Sequence, residues 1–249
     1  MSPIATATLA FFLILGSTVI GTLVRAKLPE HHLTGDSKEV IRLSTALVAT
    51  LTGLVLALMF AATRTSFENT SATVSRLAVN LADLDEHLED WGPETLPIRR
   101  QLRADLNVLI DSIWQQDAVT AGRTVPRKSH GVAALAMIRE LQPKTPAQAS
   151  IQARLLLISG EITQLRLTLL GQPPDSVSTP FMVVLVLWLM FIFTTFAMSS
   201  KPNPTLIVVL GVCILSASGA LYLIIELGLP FDGLMQVSND SLREALPKL

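Results

Sequence analysis

Half of the 249 residues are hydrophobic and only 16% are charged, a composition that is typical of a chain with several membrane-spanning helices. The formal net charge of −1 offers no basic surface for nucleic acid. The single cysteine, Cys213, excludes a disulfide framework and a paired-cysteine metal site within the chain. We therefore expect a membrane protein that contacts the lipid bilayer and binds no nucleic acid.

The first two apolar runs predict a pair of membrane helices. The run from Pro3 to Val24 is too long for the core of a signal peptide and has no basic residue before it. Pro29 then interrupts the chain. The second run, from Leu43 to Thr63, contains no charged residue, and at about 1.5 Å per residue it spans a hydrocarbon layer of roughly 30 Å. Residues 1–64 therefore predict a transmembrane hairpin.

Residues 65–178 predict a helical insert outside the membrane. No proline lies between Ser37 and Asp90, so the second span is expected to continue into the insert as one helix of about 80 Å. Amphipathic helices cannot bury their apolar stripes alone, which favours an antiparallel bundle. The alternative is that the stripes form contacts between subunits. The stripe residues are Val74, Leu77, Leu81, Leu84, Leu88, Leu102, Leu106, Leu109, Ile113, Ile151, Leu155, Ile158, Ile162, Leu165 and Leu169.

The last third of the chain predicts a second hairpin. Phe181 to Met198 and Leu206 to Ile225 are apolar runs of membrane-spanning length, and two prolines separate them. The expected fold is all-α, with four transmembrane helices as two hairpins and an inserted helical bundle between spans 2 and 3. Basic residues near the span ends are divided equally between the two sides, so the orientation stays open. The predicted domains are residues 1–64, 65–178, 179–228 and 229–249.

Motifs for catalysis and for metal binding are absent from the sequence, which disfavours an enzyme. The adjacent His31 and His32, near Asp36 and Glu39, lack the spacing of four residues that a helical zinc site requires. An interfacial polar turn is the simpler interpretation of this segment. We expect no catalytic residue, no bound metal and no cofactor.

One side of the second span carries small and hydroxyl residues, which suit helix contact or a pore lining more than lipid. If this side lines a pore, then the chain contributes five residues to it. The candidate pore-lining residues are Arg42, Thr45, Ala49, Thr52 and Phe60.

Two charged residues lie at the edges of apolar spans, where a charge usually faces protein, water or a partner. They are Arg42 and Glu226. The alternative is that both side chains simply reach the membrane interface. Four spans would place Arg64 on the same side of the membrane as Glu226, so we predict an ion pair between these two residues.

Two segments, LPEHHLTGDSKEVIRLSTALVATLTGLVLAL and IIELGLPFDGLMQVSNDSLREAL, resemble the bacterial membrane proteins of the bestrophin-like domain family, whose function is unknown. The resemblance extends over the whole chain and implies an integral protein of a bacterial inner membrane. Bestrophins proper are pentameric anion channels whose second span lines the pore. Residues 230–233 match the start of their calcium clasp, but the acidic cluster that should follow is absent. The resemblance thus implies an architecture without implying calcium binding.

Two functions remain open from the sequence. The first is a homo-oligomeric channel for chloride or other small anions, lined by span 2. The second is a non-conducting membrane protein whose helical insert binds a partner or another subunit. The regular apolar stripes at 74–88 and 151–169 motivate the second function.

Overall fold

The computed structural model describes residues 2–27, 36–114, 133–171, 179–199 and 203–246, and in these ranges the protein is helical and has no strand. This confirms the prediction of an all-α protein. The helices are α1 (Pro3–Lys27), α2 (Asp36–Trp91), α3 (Leu96–Trp114), α4 (Ala133–Arg139), α5 (Pro146–Gly171), α6 (Thr179–Ser199), α7 (Pro204–Leu227) and α8 (Asp240–Glu244).

Four helices, α1, α2, α6 and α7, are long and apolar enough to cross a membrane. Each contains one of the four spans that the sequence predicts. Helix α2 continues unbroken from the second span to Trp91, as the absence of proline predicts. Gly92 follows its last residue, and a short 3-10 turn, Pro93–Thr95, then leads into α3. The arrangement of the spans as two hairpins stays a prediction.

The described chain forms two compact units, each of which has its own core. The predicted boundaries at residues 64, 178 and 228 stay a prediction. The membrane unit consists of Met1–Phe67, Asp175–Leu229 and Gly233–Met235, and the bundle unit consists of Glu68–Pro174, Pro230–Asp232 and Gln236–Leu249.

In the membrane unit, α1 packs against α6 and α7. The Ser17 hydroxyl donates to the Met190 carbonyl at 3.3 Å, and Arg25 Nη1 donates to the Met198 carbonyl at 2.6 Å. Because the residue numbers rise together on both helices, α1 and α6 run parallel. The core residues are Ala10, Ile14, Leu185, Leu189, Phe193, Leu210, Ile214 and Leu221.

Gly21 of α1 lies directly against the backbone of α6. A Cβ atom on Gly21 would lie 2.6 Å from the Thr194 carbonyl oxygen and 3.0 Å from Ala197 Cβ. Gly21→Ala is therefore expected to lower the stability of the protein by about 1–3 kcal/mol, as overpacked cores do. Thermal unfolding of the detergent-solubilised protein measures this change. Gly16→Ala is the control, because no atom of the described chain lies within 4 Å of a Cβ there; equal melting temperatures for the two variants would contradict the expectation.

The bundle unit buries the apolar stripes that the sequence predicts, from the second half of α2, from α3 and from α5. Each predicted stripe residue is buried except Ile151 and Leu165, which are half-buried. The Asn80 amide donates to Glu161 at 3.1 Å, and Arg154 donates to Asp83 at 3.0 Å. The later residue of α2, Asp83, contacts the earlier residue of α5, Arg154, so these two helices run antiparallel. Most of the stripe residues are therefore buried within one chain, and the inserted bundle between spans 2 and 3 stays a prediction.

A buried ion pair joins α2 to α3. Arg99 is 7% exposed and Asp85 is 5% exposed. Arg99 Nε and Nη2 donate to the two carboxylate oxygens of Asp85 at 2.7 Å each, and Nη2 also donates to Glu89 at 3.1 Å. The hydrogen bond to Asp85 raises the pKa of Arg99. The guanidinium therefore stays charged over the whole neutral range, and the pair connects the first turn of α3 to the last two turns of α2.

The C-terminal segment also belongs to the bundle unit. The Trp114 indole donates to the Val237 carbonyl at 2.8 Å, and its ring meets Phe231 edge to face at a centroid distance of 5.2 Å. Leu242 of α8 is fully buried. These contacts hold the described part of the predicted C-terminal tail, residues 229–249, against α3.

Candidate functional site

Within the membrane unit, one face of α2 is buried by the protein. Thr45 and Thr52 are 3% and 4% exposed. The Thr45 hydroxyl donates to the Thr195 hydroxyl of α6 at 3.1 Å, and the Thr52 hydroxyl donates to the Val48 carbonyl at 2.7 Å. Buried hydroxyls with such partners serve helix packing well, because a polar group in an apolar layer needs a hydrogen bond.

A second face of α2 is exposed and carries mostly small side chains. Its residues recur at steps of three and four, which places them within about a quarter of the helix circumference. Only Ala49 among them is half-buried, and the others are exposed. We call this surface the open face; it consists of Arg42, Ala46, Ala49, Gly53, Ala57, Phe60 and Arg64.

A third face of α2 is made of leucine. Leu47, Leu51, Leu54 and Leu58 are between 43% and 63% exposed. Lipid tails are as apolar as leucine side chains, so this face is suited to direct contact with the bilayer. The membrane part of α2 therefore has three distinct faces: a buried face, an exposed face of leucine and an exposed face of small residues.

The predicted pore residues are divided between these faces. Arg42, Ala49 and Phe60 lie on the open face, whereas Thr45 and Thr52 lie on the buried face. The sequence cannot separate these groups, because small residues and hydroxyl residues alternate closely along this span. The pore-lining role of all five residues stays a prediction, and the burial of the two threonines favours packing for them.

Glu226 lies near the end of α7 and is only 1% exposed. Its carboxylate accepts hydrogen bonds from the backbone N–H of Leu234 and from that of Met235, the latter at 3.1 Å. Tyr222, one turn earlier on α7, also interacts electrostatically with this carboxylate. The membrane unit therefore stabilises a buried carboxylate with donors from the loop after the last span.

Gly233 makes this arrangement possible. Its φ of +91° lies in the left-handed region, which side-chain-bearing residues rarely adopt. A Cβ atom at this position would also collide with the Glu226 carboxylate. The predicted ion pair between Arg64 and Glu226 stays a prediction. The sequence signal for the loop is Pro230-Phe231-Asp232-Gly233, since proline, aspartate and glycine are turn residues.

Some predicted features lie outside the described residues. His31 and His32 belong to residues 28–35, which the structure does not describe. The described part of the chain contains no group of three or more histidine, cysteine, aspartate or glutamate side chains arranged to hold a metal. The candidate sites are therefore the open face of α2 and the loop at Glu226.

Comparison with known protein families matches residues 12–242 to the Bestrophin-like domain. No curated protein and no solved structure matches the chain. The matched range includes the open face of α2, the Glu226 loop and all of α2 to α7. Because the match extends over most of the chain, this membrane protein belongs to the Bestrophin-like domain family.

Proposed function

We propose that the chain is the subunit of a homo-oligomeric anion channel of a bacterial inner membrane, in which the open face of α2 lines the conduction path. The observation that carries this proposal is the separation of the exposed small residues of α2 from its leucine face. A single helix cannot enclose water, so several copies must place their open faces around one axis. Chloride or another small anion is the proposed substrate.

The charges on the open face favour anions. Arg42 and Arg64 are both exposed and are separated by 22 residues (64 minus 42), or about 33 Å along an α-helix. This length matches a hydrocarbon layer of roughly 30 Å, so the two arginines lie at opposite membrane interfaces. Rings of arginine at the two ends of a pore attract anions and repel cations.

The small side chains between the arginines leave room for an ion. Gly53 and Ala57 occupy the middle of the open face, and Phe60 is the one aromatic residue on it. In the proposed channel, Phe60 forms the narrowest ring because its side chain is the largest in this part of the face. Thr45 and Thr52 then support the pore helix from behind, through their contacts in the membrane unit.

A comparison of two neighbouring tryptophan variants tests the proposal. Gly53→Trp should abolish halide flux into liposomes, because an indole on the open face fills the path of each subunit. Gly53 is exposed, and a Cβ there would contact no atom outside its own helical backbone within 4 Å, so a larger side chain can extend away from the chain. Leu54→Trp is the matched control: it lies at the same depth but on the lipid face, where it is 58% exposed. Leu54→Trp should retain the flux of the unsubstituted protein.

The mass of the detergent-solubilised oligomer distinguishes block from failed assembly. Loss of flux in Gly53→Trp with an unchanged oligomer supports a pore at this face. Equal flux in Gly53→Trp and in the unsubstituted protein would remove Gly53 from the pore. If Gly53→Trp loses the oligomer while Leu54→Trp keeps it, then the open face forms contacts between subunits instead of a pore.

A second candidate function is a non-conducting membrane protein whose helical insert, residues 65–178, binds a partner or another subunit. The observation that favours it is the exposed outer side of α5, where Leu156, Leu157, Leu167 and Leu170 are between 41% and 65% exposed. The apolar stripes at 74–88 and 151–169, which motivate this function in the sequence, are mostly buried inside the bundle unit. An assembled protein that carries no anion flux would favour this second function.

A further inference from the structure

The membrane unit contains a cavity of about 220 Å³ at the end where α1 and α6 terminate and α2 begins. Its walls are mostly apolar. Val40 and Ile41 of α2 line one side, and Phe191 and Met198 of α6 line the other. A cavity of this size with apolar walls has space for hydrocarbon and offers few partners to water.

A guanidinium group also lines this apolar space. Arg25, in the last turn of α1, is half-buried, and its Nη1 donates to the Met198 carbonyl at 2.6 Å. This bond holds the guanidinium at the end of α6 and uses one of the five N–H donors of arginine. The Ser44 hydroxyl, which also lines the cavity, has no hydrogen-bond partner in the described part of the chain. The cavity therefore combines apolar walls with donors for an anion.

The position of Arg25 identifies the kind of ligand. It directly follows the apolar run of α1, which is long enough to cross a membrane, so it lies at the level of the lipid headgroups. Arginine binds phosphate oxygens well because its fork of donors matches their geometry. An acyl chain suits the apolar walls, and a phosphate suits the arginine. These two parts occur together in a phospholipid.

We propose that this cavity binds an anionic phospholipid, with the phosphate on Arg25 and Ser44 and part of an acyl chain against Val40, Ile41 and Phe191. An inorganic phosphate could contact Arg25 and Ser44 but would leave the apolar walls of the cavity without a partner. A zwitterionic lipid carries a cation beside its phosphate, which weakens the attraction to arginine. The ligand would contact α1, α2 and α6 together and so stabilise the membrane unit by binding only its folded state. This site does not depend on whether the protein conducts anions.

Thermal unfolding of the full-length protein in detergent tests the site. Phosphatidylglycerol at a hundredfold excess over its Kd should raise the melting temperature by about 5 °C or more. Phosphatidylcholine with the same acyl chains, and inorganic phosphate at the same concentration, should leave it unchanged. Native mass spectrometry of the same samples counts the bound lipid.

Two pairs of variants locate the effect. Arg25→Gln should remove the shift caused by phosphatidylglycerol, while Lys27→Gln, an exposed position outside the cavity wall, should keep it. Because Arg25→Gln also loses the bond to α6, a second variant leaves Arg25 intact: Ser44→Phe fills the cavity and should remove the shift. Leu43→Phe, which is 61% exposed and outside the wall, should keep it.

Three results would overturn the proposal. An equal shift with phosphatidylcholine would show unspecific stabilisation by lipid. A shift with inorganic phosphate that Arg25→Gln removes would show a site for the free anion. If phosphatidylglycerol still raises the melting temperature of both Arg25→Gln and Ser44→Phe, then the lipid binds elsewhere. Arg25 would then serve only to hold the end of α6.

Discussion

Replacement of Asp85 by alanine is expected to destabilise the bundle unit by about 3–5 kcal/mol, because the substitution leaves the guanidinium of Arg99 buried without its main partner. Arg99 is 7% exposed and donates two hydrogen bonds of 2.7 Å to Asp85. Unfolding of the full-length protein in detergent by denaturant measures the loss. Trp91 and Trp114, which both lie in the bundle unit, report it by fluorescence.

Two further variants show whether burial causes this effect. Glu89 contacts the same guanidinium but its side chain is 69% exposed, so Glu89→Ala should cost no more than about 1 kcal/mol. Replacing Asp85 and Arg99 together by leucine should restore most of the stability, because an apolar pair can replace a buried ion pair. Equal losses for Asp85→Ala and Glu89→Ala would contradict this explanation.

Replacement of Glu226 by alanine is expected to release the loop after the last span and to destabilise the membrane unit by about 2–3 kcal/mol. Glu226 is 1% exposed, and its carboxylate accepts hydrogen bonds from the backbone N–H groups of Leu234 and Met235. Hydrogen bonds to a charged group contribute more than those between neutral groups, and their loss leaves donors without partners. Hydrogen exchange of residues 233–235 should accelerate, and the melting temperature should fall.

Gly233→Ala, which changes the loop instead of the carboxylate, should also accelerate hydrogen exchange at residues 233–235 and lower the melting temperature. Its φ of +91° and the closeness of the Glu226 carboxylate both oppose a side chain. Glu244→Ala, at an exposed position of the C-terminal segment, is the control and should leave hydrogen exchange at 233–235 unchanged. If Glu226→Ala leaves the exchange of this loop as slow as the control does, then the carboxylate does not hold the loop.

The helices were predictable because their signals are local. The four spans follow from the length of the apolar runs alone. The unbroken α2 follows from the lack of a proline between Ser37 and Asp90. The buried stripes of α2, α3 and α5 follow from the spacing of leucine and isoleucine at the helical period. Each of these features is determined within one segment of the chain.

The candidate sites depend on contacts between segments, which the sequence does not display. Thr52 and Gly53 are neighbours and both are small residues, but packing buries the first and leaves the second exposed. Leu234 and Met235 contact Glu226 through backbone N–H groups, which every residue except proline carries, so their side chains do not signal the contact. Asp85 and Arg99 are 14 residues apart across the turn that ends α2. Their pairing depends on the angle between two helices.

The measurement that tests the channel proposal most directly is halide flux into liposomes that contain the purified protein, with the mass of the oligomer measured in parallel. We predict flux from an oligomer, its loss in Gly53→Trp, and its retention in Leu54→Trp. A stable oligomer that carries no halide over a range of voltage, calcium concentration and pH would contradict the proposal. That result would direct attention to the exposed side of α5 and the partner that it binds.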